Sequence, residues 1–135
     1  MLVVKNELCV AFDVDDTLVL WNNKCYQPHK DAILIVDPAD NQCLYLTPHK
    51  RHIDLMRKWK SRGYFIEVWS AAGGAWAEAV VLALGIEDVV DLITTKRMKV
   101  VDDLPKNEIL GSRVYLDPDP DNEKKKIVIE ETGTD

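Results

Sequence analysis

Leu8-Cys9-Val10-Ala11-Phe12-Asp13-Val14-Asp15-Asp16-Thr17-Leu18 is the stretch that decides how this chain folds. Five apolar residues, Leu8 to Phe12, run directly into Asp13, Asp15 and Asp16. An uninterrupted apolar run suits a strand buried in a parallel sheet. Carboxylates cannot continue such a strand, so it is predicted over residues 8–13 and stops where the aspartates begin. Neighbouring carboxylates repel one another, and a divalent cation is the natural counter-charge. The expectation is a strand whose carboxyl end delivers a metal-bound carboxylate to a reaction centre.

Outward from this stretch, Trp21-Asn22-Asn23-Lys24 and Gln27-Pro28-His29-Lys30 are polar and turn-prone. Two short apolar runs follow, Ala32–Val36 and Gln42–Leu46, separated by Asp37-Pro38-Ala39-Asp40-Asn41. They predict a β-hairpin inserted at about residues 31–47. Thr47-Pro48 reads as a helix entry with Thr47 as N-cap. Ile53, Met56 and Trp59 form one apolar stripe, and Gly63 closes the helix. Tyr64–Trp69 is the second core strand. Ser70 to Gly74 is a small-residue turn, and Ala75–Leu84 is a second helix capped by Gly85. Val89–Ile93 leads to Thr94-Thr95-Lys96. Lys99-Val100-Val101 is predicted as a short strand ending in Asp102-Asp103. Arg113–Leu116 is another strand, and residues 124–131 an edge strand.

This alternation predicts a single α/β domain over 1–135, with a mostly parallel sheet flanked by helices. In such sheets the functional groups gather past the carboxyl ends of the strands. Asp13, Asp15 and Thr17, then Ser70, then Asp102 and Asp103 occupy those ends, with Lys96 on the connection before the last. The set supplies what phosphoryl transfer to a carboxylate requires. That chemistry needs a nucleophile, a second carboxyl group for proton transfer, small donors, a fixed positive charge and a cation.

The four motifs resemble those of the haloacid dehalogenase superfamily of phosphohydrolases. They are Asp13-Val14-Asp15-Asp16-Thr17-Leu18, then Phe65–Ser70, then Lys96, then Val100-Val101-Asp102-Asp103, in the family's order across about residues 8–117. The resemblance implies a Rossmann-like fold and a magnesium-dependent phosphomonoester hydrolase. It makes Asp13 the nucleophile and a metal ligand. Asp15 becomes the general acid/base, with its backbone carbonyl on the metal. Thr17 steadies the loop, Ser70 holds phosphoryl oxygens, and Lys96 offsets charge. Asp102 and Asp103 complete the Mg2+ site, with Asp103 favoured as the direct ligand. Asp16 departs from the pattern, standing where the family most often has glycine. Arg97 and Lys99 are rivals of Lys96.

The same resemblance implies a capless or minimal-cap member, because only the hairpin separates Leu18 from Thr47. Its substrate would be a nucleotide, a sugar phosphate or a phosphorylated nucleic-acid end. A second copy of the chain could lend its hairpin as a cap, making a homo-oligomer. Trp21, Tyr26, Lys30 and Trp76 are the candidates for contacts beyond the phosphate. His29, His49 and His52 read as surface or helix-start residues, and Asp117, Asp119 and Asp121 as a proline-stiffened turn. The competing functions are a phospho-acceptor switch of the receiver type and a catalytically silent binding module on the same fold.

Bulk properties bound the rest. A chain of 135 residues buries roughly two thirds of its unfolded surface. A net charge of −6 argues against broad binding to a phosphate backbone. Cys9, Cys25 and Cys43 are odd in number and lack CxxC spacing, which predicts free thiols in a reducing compartment. Cys9, inside an apolar run, reads as a buried core thiol. No segment approaches 18 uninterrupted apolar residues, and the N-terminus lacks a basic-then-apolar signal, so the expected location is the cytoplasm, away from the membrane.

Overall fold

The predicted first strand forms over Cys9–Asp13 (β1), after a single 3-10 turn at Asn6–Leu8. The computed structural model describes residues 6–21, 31–118 and 128–130. Cys25, Tyr26, His29, Lys30, Asp119 and Asp121 lie outside the described residues. The chain divides into two units, Met1–Lys96 and Arg97–Asp135.

In the first unit, β1 pairs in parallel with Phe65–Ser70 (β5), which pairs in parallel with Leu92–Thr95 (β6). Between β1 and β5 come Val19–Leu20 (β2), Ile33–Val36 (β3), Cys43–Pro48 (β4) and the helix Lys50–Ser61 (α1). The helix Gly74–Leu84 (α2) joins β5 to β6. The register sets Asp13 opposite Trp69 and Ser70 opposite Thr95. Two predicted site positions thus fall on one edge of the sheet, with Lys96 one residue past β6. Alternation explains β5: Ile66, Val68 and Ser70 are buried, while Phe65, Glu67 and Trp69 are half-buried. Asp91 fastens the start of this arrangement. Its carboxylate accepts from the Ile66 backbone N–H (2.8 Å) and from Lys60 Nζ on α1.

The hairpin is present as β3 against β4, antiparallel, with β2 pairing on the other edge of β4. Its inward side chains, Ile35 and Leu46, are buried in the same core as Phe12, Val14 and Leu18. Its outward side chains, Leu34, Val36, Cys43 and Tyr45, are exposed.

Three expectations change here. β1 is an edge strand among the described residues, so only Phe12 is fully buried, and Cys9 is exposed rather than a core thiol. Thr47 and Pro48 belong to β4 and not to the helix, whose N-cap is His49. Pairing of Thr47 with Leu20 and of Pro48 with Val19 draws these residues into the sheet ahead of their capping preference. His49 and His52 are buried, at 1% and 2% exposure, rather than on the surface.

In the second unit, Lys106–Ile109 forms a short helix (α3), and Arg113–Tyr115 (β7) pairs antiparallel with Val128–Glu130 (β8). The strand predicted at Lys99–Val101 does not form, and Val100 and Val101 are exposed. Two valines between Lys99 and Asp102, with Pro105 close behind, offer too few apolar side chains to anchor a strand. The described architecture is therefore mixed α/β, with a small parallel three-stranded sheet and two longer helices.

Candidate active site

Asp13 ends β1, and the chain turns at once around the carbonyl of Val14, which accepts from the N–H groups of Thr17, Leu18 and Val19. Asp16 sits in the middle of this turn with φ +60°, in the left-handed region. Glycine enters that region at no steric cost, and Asp and Asn tolerate it better than other residues. This is the physical reason for the departure noted at position 16. The Asp16 side chain has a task of its own, since its Oδ1 accepts from the Trp21 backbone N–H (3.2 Å).

The tight turn brings Thr17 back onto Asp13, with Thr17 Oγ1 donating to Asp13 Oδ2 (3.2 Å). The other oxygen, Oδ1, lies 3.7 Å from Lys96 Nζ. Lys96 is steered from two sides. Its backbone N–H donates to the Ser70 carbonyl (2.9 Å), and its ammonium lies 5.8 Å from the centre of the Trp69 ring. Ser70 is fully buried, and its Oγ accepts from the Ala72 N–H (3.0 Å), which braces the turn before α2. That turn runs through Gly73 at φ +112°, a conformation closed to most L-residues.

Asp15 faces a different set of partners. Its Oδ1 accepts from two indoles, Trp21 Nε1 (3.0 Å) and Trp76 Nε1 (3.1 Å). Two donors on one oxygen fix the carboxyl group in orientation and leave Oδ2 as the oxygen free of that cage. Trp21 and Trp76, read from the sequence as contacts for a leaving group, are first of all partners of Asp15. The 61-residue separation of Asp15 and Trp76 hides this from any local pattern.

Two histidines that the sequence reading set aside complete the site's support. His52 Nδ1 donates to the Thr17 carbonyl (2.6 Å), and the His49 backbone N–H donates to the Leu18 carbonyl (2.9 Å). The two rings stack at 3.8 Å, and His49 Nδ1 accepts from the His52 N–H. Burial, with repulsion from His49, pushes the His52 pKa down to about 4. A neutral imidazole therefore clamps the turn that carries Asp13 and Thr17. The signal was present in the sequence: His52 stands four residues before Met56, on the buried stripe of α1.

A cleft of about 270 Å³ opens beside Asp15. Trp21, Ala72, Ala75 and Trp76 form one part of its lining, and Asp37, Pro38, Ala39 and Leu44 of the hairpin form the rest. The chain's own hairpin thus supplies a wall of the cleft that Asp15 lines.

Asp102 and Asp103 belong to the second unit, and both are exposed. Asp102 Oδ1 accepts from the Leu104 N–H (3.0 Å) in a local turn. Among the described residues, no three His, Cys, Asp or Glu side chains are grouped to hold a metal ion. The donors at the β1 end are carboxylate and carbonyl oxygens, a chemistry that suits a hard cation such as Mg2+ and not a thiolate-seeking metal. Among the described residues no helix is long and apolar enough to cross a membrane.

No family model, no curated protein and no solved structure matches the chain.

Proposed function

We propose that the chain is a magnesium-dependent phosphomonoester hydrolase of the haloacid dehalogenase type, with a Rossmann-like fold and the hairpin as a minimal cap. One observation carries this reading. At the carboxyl edge of the parallel sheet, Asp13 is held by Thr17 on one oxygen and faces Lys96 across 3.7 Å on the other. A carboxylate beside an ammonium at a strand end is equipped to receive a phosphoryl group.

In this mechanism an Asp13 oxygen attacks phosphorus, and the bond to the ester oxygen breaks. Asp15 gives that oxygen a proton, so the alcohol leaves neutral. Water then attacks the aspartyl-phosphate, Asp15 takes a proton from it, and inorganic phosphate and free Asp13 result. Lys96 offsets negative charge at Asp13 and on the phosphoryl oxygens. Ser70 and the turn it braces lie at the end of the neighbouring strand, where a phosphoryl oxygen would be held. Asp13 and the Asp15 carbonyl are the groups at this strand end that would hold Mg2+. When bound, the ion supplies charge neutralisation between the carboxylate and the phosphate. The proposed location is the cytoplasm.

The test is phosphate release from p-nitrophenyl phosphate with and without Mg2+, using the wild-type chain and Asp13→Asn. Magnesium-dependent turnover that disappears in the variant is expected. Undiminished turnover by Asp13→Asn ends this mechanism.

A further inference from the structure

The cleft beside Asp15 also has a definite chemical character, and the inference drawn from it rests on the phosphatase reading above. We infer that the substrate is the monophosphate of a neutral alcohol that carries a flat ring and a hydrogen-bond donor remote from the phosphate. Nucleosides and hydroxylated aryl alcohols share this chemistry.

Three observations support the assignment. First, the Trp21 and Trp76 N–H groups are both committed to Asp15, so these side chains offer the cleft carbon surface. Leu44 and Pro38 face it with more of the same. A flat apolar ring gains most from such walls. Second, Asp37 of the hairpin turn also lines the cleft, as the one lining carboxylate besides Asp15 among the described residues. Its Oδ1 accepts from the Ala39 N–H (2.9 Å), which fixes the carboxylate in place. A fixed acceptor favours a hydroxyl or amino group on the ligand and repels a second phosphate. Third, the volume of about 270 Å³ lies near the lower end for small-molecule sites, which suits one ring-bearing group rather than a chain. A phosphorylated nucleic-acid end, with its further phosphates, is the disfavoured substrate.

The experiment compares kcat/KM for adenosine 5′-monophosphate, 4-hydroxyphenyl phosphate, glycerol 3-phosphate and adenosine 3′,5′-bisphosphate, with p-nitrophenyl phosphate as the reference ester. The first two arms separate a nucleoside from an aryl alcohol. The better of them should exceed glycerol 3-phosphate by about 10- to 100-fold. Asp37→Asn keeps the turn-forming side chain and removes the charge. It should narrow the preference for the monophosphate over the bisphosphate by up to about five-fold. Adenosine or hydroquinone alone, whichever matches the better ester, should quench tryptophan fluorescence of the wild-type chain, less so in Trp21→Phe. Equal hydrolysis of all the esters, with normal turnover of p-nitrophenyl phosphate, overturns this inference and leaves the phosphatase reading intact. Quenching by the alcohol without hydrolysis of any ester supports the cleft assignment and removes the phosphatase reading. Neither quenching nor hydrolysis overturns both.

Discussion

The two acidic pairs of the chain differ in what holds them. Asp13 and Asp15 are fixed by groups from distant parts of the sequence: Lys96 on the first, and Trp76 together with nearby Trp21 on the second. Asp102 is held by the N–H of Leu104, two residues on, and the valines ahead of it are exposed. Both pairs follow an apolar run. The first run has five apolar residues and a paired neighbour in β5, whereas the second has two valines and forms no strand. A carboxylate is placed to a fraction of an ångström only when the segment that carries it is itself anchored, and catalysis asks for that precision.

Breaking the anchored pair should have the largest effects. Asp13→Asn should lower kcat by about 10⁴-fold or more in magnesium-dependent phosphate release, because the nucleophile is gone. The melting temperature of that variant should stay close to wild type.

The support beneath the pair comes next. His52 has a folded-state pKa of about 4, below its ordinary 6.5. The unfolded chain therefore binds more protons between these values, so stability rises with pH across that window. The contribution of His52 is fully present above about pH 6.5 and lost as pH falls toward 4, by roughly 3 kcal/mol in all. Urea denaturation at a series of pH values should show this slope, and His52→Gln should flatten it. A slope unchanged by the substitution would assign the acid sensitivity to other groups.

A smaller effect is expected at the second carboxylate. Trp76→Phe keeps the ring packed and removes one of the two donors on Asp15. It should lower kcat by about ten-fold with little change in KM, with stability down by only about 1 kcal/mol. A merely structural tryptophan would change stability and leave kcat in place. Asp16 sharpens the comparison from the backbone side. Asp16→Val must hold a β-branched residue at φ +60° and should be about 2 kcal/mol less stable than Asp16→Gly, read from their denaturation midpoints.

The smallest stability effect belongs to the locally held pair. Asp102→Asn and Asp103→Asn should each change folding stability by less than about 0.5 kcal/mol.

The same contrast explains what could be read from the sequence. β1, the hairpin, α1, β5 and α2 each announce themselves by local periodicity and by turn residues such as Gly63, Gly85 and the Asp37–Asn41 turn, whereas the third parallel strand is expected at Lys99–Val101 and forms instead at Leu92–Thr95. The alignment of Asp13 with Ser70 follows from the rule that parallel strands present their carboxyl ends together, whereas Lys96 comes to that edge through β6, which the sequence did not announce. What escaped was long-range. Nothing local tells that Trp76 reaches Asp15, or that Thr47 and Pro48 are claimed by β2 rather than by the helix. His49 and His52 were misjudged because polar residues are usually exposed. Here each makes hydrogen bonds that offset its burial. Asp16 was legible as an oddity but not as a left-handed residue, since backbone angle is not written in residue type alone.

The hairpin has one further consequence. Its turn, Asp37–Asn41, contributes side chains to the cleft but none to the hydrogen bonds around Asp13 and Asp15. Ile35 and Leu46 anchor the arm in the core independently of the turn's own sequence. Variation in that turn can therefore redraw what the cleft accepts while the reacting groups stay untouched. For divergence or for engineering, this makes the turn a replaceable module: libraries at positions 37–40, with Asn41 kept at its φ of +58°, should yield altered selectivity without a matching loss of folding.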